Sequence, residues 1–117
     1  MSLDRTALAK LQEVVGGDPA DVAELIDSFL DEAPDLLAAI GRAHAAGDVA
    51  ALKRAAHSLK SAAREFGAMA LADACDRIER RCREGRSDGI EPEVGAVDGL
   101  FAACAGELRA CLTEIAG

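Results

Sequence analysis

The chain has 117 residues, 50% of them hydrophobic and 29% charged, which is enough for one buried core. With no Trp, no Tyr and three Phe, that core must be built from Leu, Ile, Val and Ala, and abundant Ala with few β-branched residues argues against all-β and doubly wound folds. A net charge of −8 argues against a nucleic-acid partner, and no apolar run approaches the roughly 18 residues that cross a bilayer. The N-terminal stretch lacks the order of a secretory signal, so a cytoplasmic protein without membrane insertion is expected.

Glycine and proline punctuate five helical segments. The first runs from about Leu3 to Val15 and stops at Gly16 and Gly17. Asp18 then offers an N-cap with Pro19 at the first helical position. The segment it opens carries Val22, Leu25, Ile26, Phe29, Leu36 and Ile40 at helical spacing and ends near Ala46 and Gly47. Pro34 within it predicts a kink near Glu32 or Ala33 rather than a break, because the apolar stripe resumes in phase. Asp48 caps a third helix with Val49, Leu52, Ala56, Leu59, Ala63 and Phe66 on one face, closed by Gly67. A fourth turns Leu71, Cys75, Ile78 and Cys82 inward. A polar loop from Gly85 to Gly89 precedes the last, which Pro92 starts and which carries Val97, Leu100, Cys104, Leu108, Cys111 and Ile115.

Short links between long amphipathic helices force neighbours to run antiparallel. The expected architecture is an all-α, up-down four-helix bundle, with the additional short N-terminal helix packed as a lid, over a single domain spanning 1–117. Cys75 with Cys82, and Cys104 with Cys111, stand two helical turns apart, roughly 10 Å. That is too far for a disulfide or a zinc site within either pair, so the four are expected as small apolar core residues. A second apolar row, Ile26, Leu30 and Leu37, is expected to seal the core more than to dock a partner. His44 sits where a cation meets the C-terminal end of its helix.

On the third helix Lys53, His57, Lys60, Ser61 and Arg64 separate from the apolar stripe, a basic cluster on an acidic chain. Such a patch suits an anion, and an anion carried on His57 stands one turn from Lys60 and beside Ser61. An exposed His among solvated charges is the plainer alternative. His57 lies ten residues before Gly67 and Glu79 twelve after it, so an antiparallel pair brings them to nearly one height. The Glu79 carboxylate is then placed to accept from Nδ1 and leave Nε2 as nucleophile. The alternative for Glu79 is an ordinary solvent-facing acid in the basic run Arg77, Arg80, Arg81 and Arg83, held by i,i+4 pairs.

The stretch from His57 to Glu79, HSLKSAAREFGAMALADACDRIE, resembles the histidine-containing phosphotransfer (HPt) domain. The family pattern of His, Leu two on, Lys three on, Gly or Ser four on and Gly ten on falls on His57, Leu59, Lys60, Ser61 and Gly67. Cys75 and Glu79 match the Cys and Glu often seen in the following helix, and Phe29 and the Gly47–Asp48 turn extend the likeness more weakly. Ser61 replaces the commoner Gly, while Arg64 and Glu65 stand where many members have small polar residues.

The resemblance implies a phosphorelay carrier, with His57 exchanging a phosphoryl group with a receiver-domain aspartate or a hybrid histidine kinase. It implies Lys60 stabilising the phosphoryl oxygens beside Ser61, Glu79 orienting the ring, and Gly67 at the turn or a close approach, while Arg64, a departure from the pattern one turn beyond Lys60, either adds phosphate contacts or restricts a partner. No metal or cofactor of the chain's own is implied, the magnesium belonging to the receiver. No phosphate-binding glycine loop or kinase motif occurs, so the chain is not expected to consume ATP. A monomer is expected, since five helices occupy one chain, which disfavours the two-chain dimerisation module of a sensor kinase. The competing reading is a helical scaffold or docking module without phosphotransfer. Arg far outnumbers Lys and Ala abounds, which suggests a GC-rich bacterial source.

Overall fold

The computed structural model describes residues 18–116 without interruption, together with residues 3, 6, 9, 10 and 13, with side chains as far as residue 113. Four helices follow one another: α1 (Pro19–Ala46), α2 (Val49–Glu65), α3 (Met69–Arg83) and α4 (Glu91–Ala116). No strand occurs among the described residues. Of the expected N-terminal helix, Thr6, Ala9, Lys10 and Glu13 have helical backbone and Leu3 is buried; the remainder lies outside the described residues.

The helix ends follow from local chemistry. Asp18 accepts a hydrogen bond from the Ala20 amide at 2.9 Å and Pro19 opens α1, which continues unbroken through Pro34. At its far end Gly47 takes the left-handed conformation with φ 66°, the Gly47 amide donates to His44 O and the Asp48 amide to Ala43 O. This pair of bonds is a Schellman closure, satisfying carbonyls that the helix leaves open. Asp48 then caps α2 directly, accepting from the Ala51 amide at 3.0 Å. One two-residue turn therefore ends one helix and begins the next, which fixes α1 and α2 antiparallel. Gly67, with φ 74°, repeats the closure after α2: its amide donates to Arg64 O and that of Ala68 to Ala63 O. No side chain caps α3, and α4 starts at Glu91 with Pro92 second rather than first.

Each helix packs on two neighbours, α1 on α2 and α4, α3 on α2 and α4, closing a four-membered ring around one core. All three Phe meet inside it. Phe29 stacks on Phe66 at 4.8 Å and meets Phe101 edge-on at 5.8 Å, joining α1, the α2–α3 turn and α4. The four cysteines are buried and joined in no disulfide, as expected of small apolar core residues. Burial pushes the Cys75 thiol up to about 12 and the Cys104 thiol up to about 11, which keeps both uncharged. Ile26 is buried and Leu30 and Leu37 pack against the core, so that second row serves the interior. Leu25, expected inward, is instead 36% exposed, because Val22, Ile26 and Phe29 already fill the inward stripe of that turn.

Helix α4 carries Gly95, Gly99 and Gly106 at exposed positions where an added Cβ meets nothing within 4 Å. A glycine inside a helix costs about 0.5–1 kcal/mol relative to alanine. Gly99→Ala is therefore expected to stabilise the fold by about that amount, read as a higher midpoint in urea unfolding with an unchanged m-value.

Candidate functional site

The Gly67 turn sets α3 against α2 so that residues equally distant from it stand level. His57 and Glu79 meet there, with His57 Nδ1 3.0 Å from Glu79 Oε2. Three residues on from His57 and three back from Glu79 the register repeats, placing Lys60 Nζ 3.5 Å from Asp76 Oδ1. Lys60 Nζ also reaches Glu79 Oε1 at 2.5 Å, and Arg83 Nη2 meets Glu79 Oε2 at 2.7 Å. Asp76 Oδ2 is held in turn by Arg80 at 2.7 Å.

Burial separates the roles. The His57 side chain is 59% exposed, whereas Glu79 is 2% and Lys60 7% exposed. Burial on its own pushes the Glu79 carboxyl up, but the hydrogen bonds from Lys60 and His57 and the charges of Lys60 and Arg83 outweigh it and hold it below its ordinary value. An ionised carboxylate only accepts hydrogen bonds, so the His57 nitrogen facing it must carry the proton. In the neutral ring the lone pair then belongs to Nε2, on the side away from Glu79.

Of the residues expected at the site, His57, Lys60 and Glu79 come together. Lys60 is not one of the outward cations its helix position suggests. It turns into the α2–α3 seam because two carboxylates of α3 compensate its buried charge. Ser61 and Arg64 are exposed further along α2, and Gly67 is buried in the turn. Glu79 faces His57 and also pairs with Arg83 four residues on, but it is buried rather than the solvent-facing acid of the alternative reading, because Lys60, His57 and Arg83 compensate its charge.

Asp76 was not legible by residue type, although its place opposite Lys60 follows from the same register. An open hollow of about 570 Å³ lies beside the ring, lined by Ala50, Lys53, Arg54, His57, Ser58 and Glu79. Arg54 and Ser58 stand further round the helix than the face that groups Lys53, His57, Lys60, Ser61 and Arg64, and so fall outside that cluster. No group of three or more His, Cys, Asp or Glu is placed to hold a metal ion among the described residues. Nor is any helix among them long and apolar enough to cross a membrane.

The family model described as Hpt domain matches residues 24–117. The phosphorelay protein LuxU of Vibrio vulnificus is 33% identical over 99 residues, which is 84% of this chain and 84% of that one. Among solved structures, the histidine-containing phosphotransfer protein B (HptB) of Pseudomonas aeruginosa PAO1 superposes with a TM-score of 0.87 at 28% identity, covering 97% of this chain and 96% of its own. The HPT domain of a sensor hybrid histidine kinase from Shewanella shares the fold, with a TM-score of 0.78 at 18% identity and coverage of 97% and 95%. A chain matched over most of its length, in which the exposed histidine of the HSLKS motif meets a buried carboxylate of the next helix, belongs to the Hpt domain family.

Proposed function

We propose that the chain acts as one phosphotransfer domain of a phosphorelay, carrying the phosphoryl group on His57 Nε2. The observation that carries this reading is the 3.0 Å contact between His57 Nδ1 and the buried Glu79 carboxylate, which in the neutral ring places the lone pair on Nε2. The relatives support it, since the Vibrio vulnificus protein is named a phosphorelay protein and that of Pseudomonas aeruginosa a histidine-containing phosphotransfer protein.

In the forward step the Nε2 lone pair bonds to phosphorus of a receiver aspartyl phosphate. The P–O bond breaks with its electron pair left on the aspartate, and the ring becomes a phosphoimidazolium. Its Nδ1 proton stays in place, facing Glu79, whose negative charge stabilises the new positive one. Transfer to a second aspartate reverses each change. Phosphoryl transfer through a loose transition state asks mainly for positioning and charge, so an open, exposed site suffices when the partner brings the magnesium. The partners in this reading are receiver domains and hybrid histidine kinases, met in the cytoplasm by a monomer.

Lys60 Nζ donates to Asp76 and lies in ion-pair contact with Glu79, and of its three donors one is left for a phosphoryl oxygen. Lys60→Ala is expected to slow transfer on the order of tenfold to a hundredfold, measured by quenched-flow labelling from a phosphorylated receiver. Unchanged kinetics would remove Lys60 from the reaction. The test of the function itself is incubation with a phosphorylated receiver domain followed by intact-mass analysis. Gain of one acid-labile phosphoryl group is expected; no gain across several receiver domains would favour the scaffold reading.

A further inference from the structure

The cations near His57 fall into two groups. Those of α3 are all matched by carboxylates: Arg77 by Glu93, Arg80 by Asp76, Arg81 by Glu84 and Asp88, and Arg83 by Glu79. Lys60 is matched twice. Lys53 and Arg54 on α2, by contrast, are exposed and have no carboxylate partner among the described residues, and both line the hollow beside the ring.

Helix geometry places His57 over those two rather than over Ser61 and Arg64. The Cα–Cβ bonds of an α-helix tilt towards its N-terminus, so a side chain covers the turn before its own Cα. Lys53 and Arg54 precede His57 by four and three residues, the spacing of neighbours on one face. Lys53 also stands level with Arg83, by the register that pairs His57 with Glu79. Its charge reaches the Cys82 thiol on α3, which burial nonetheless pushes above its ordinary value.

A phosphoryl group brings close to two negative charges and three acceptor oxygens. Glu79 already absorbs Arg83 and most of Lys60, leaving this network short of the charge that a dianion asks for. We propose, building on the carrier reading above, that the hollow before His57 is a phosphoryl-binding subsite in which Lys53 and Arg54 hold the oxygens of the group on Nε2. Ser58 adds a hydroxyl to its lining, and the buried ion cluster behind His57 fixes the ring. The division of labour is then spatial: Arg83 and Lys60 hold Glu79, Lys60 with one donor left for the group, while Lys53 and Arg54 meet its remaining oxygens.

The test uses phosphoramidate, a small phosphoryl donor with no protein surface, alongside a phosphorylated receiver. Wild type, Lys53→Ala/Arg54→Ala and the charge-preserving Lys53→Arg/Arg54→Lys are followed by intact mass at low and high salt. The double-alanine variant is expected to label about tenfold more slowly from phosphoramidate, with a flatter salt dependence, and the charge-preserving variant to recover most of the rate. Wild-type rates in the double-alanine variant would overturn the subsite. So would a defect confined to the receiver, which would assign the two cations to the partner's surface. A wild-type chain that takes label from neither donor would overturn the carrier reading and the subsite with it.

Discussion

His57→Gln is expected to abolish phosphoryl acceptance completely while leaving the fold intact. Glutamine keeps a polar side chain of similar reach but offers no nucleophilic lone pair, so no slower pathway survives through it. Because the His57 side chain is 59% exposed, its removal exposes little apolar surface and leaves Glu79 still held by Lys60 and Arg83. The expected cost is therefore at most about 1 kcal/mol, the worth of one hydrogen bond. Parallel intact-mass labelling and urea unfolding separate the two effects. A labelled variant would place the acceptor elsewhere, and His44, the one other histidine, is the first place to look.

The bundle was legible because its boundaries are chemical. Asp18, Gly47, Asp48 and Gly67 each act through a backbone conformation or a capping bond that sequence spacing exposes, and their positions set three helices in register. That register makes the His57–Glu79 pair legible in the sequence. The inward turn of Lys60 is not, for a different reason. Helical periodicity gives an angle around one axis, whereas burial at the seam between two helices depends on what the second offers. Only with Asp76 and Glu79 in place does an ammonium group gain by turning inward. The same limit applies to Leu25, whose helical phase is apolar but whose position lies beyond the edge covered by its neighbours. The hollow beside His57 was illegible because it is bounded by side-chain direction, which favours the turn before a residue over the turn after it.

Glu79→Gln is the substitution expected to cost the most stability, and its cost carries a pH signature. The variant keeps the shape of the side chain but removes the charge shared by Lys60, His57 and Arg83. Lys60, buried, is left with Asp76 alone at 3.5 Å. Breaking a buried pair by deleting one partner costs 3–5 kcal/mol, and the remaining carboxylate puts this case at about 3 kcal/mol at neutral pH. Since the folded-state pKa of Glu79 lies below its ordinary value of 4.5, the folded protein binds fewer protons than the unfolded chain in that range. The carboxylate's contribution is thus complete above 4.5 and is lost as pH falls through the lower folded value. Urea unfolding at a series of pH values should show wild type well above the variant at neutral pH and the gap narrowing in acid. A gap independent of pH would mean that Glu79 acts by packing rather than by charge. Adding Lys60→Met to Glu79→Gln provides the control: with no cation left to strand, most of the lost stability should return, while the His57 ring, freed from its acceptor, should lose its fixed tautomer in ¹⁵N spectra. Stability recovered without transfer rate would separate what the buried ion cluster does for the fold from what it does for the histidine.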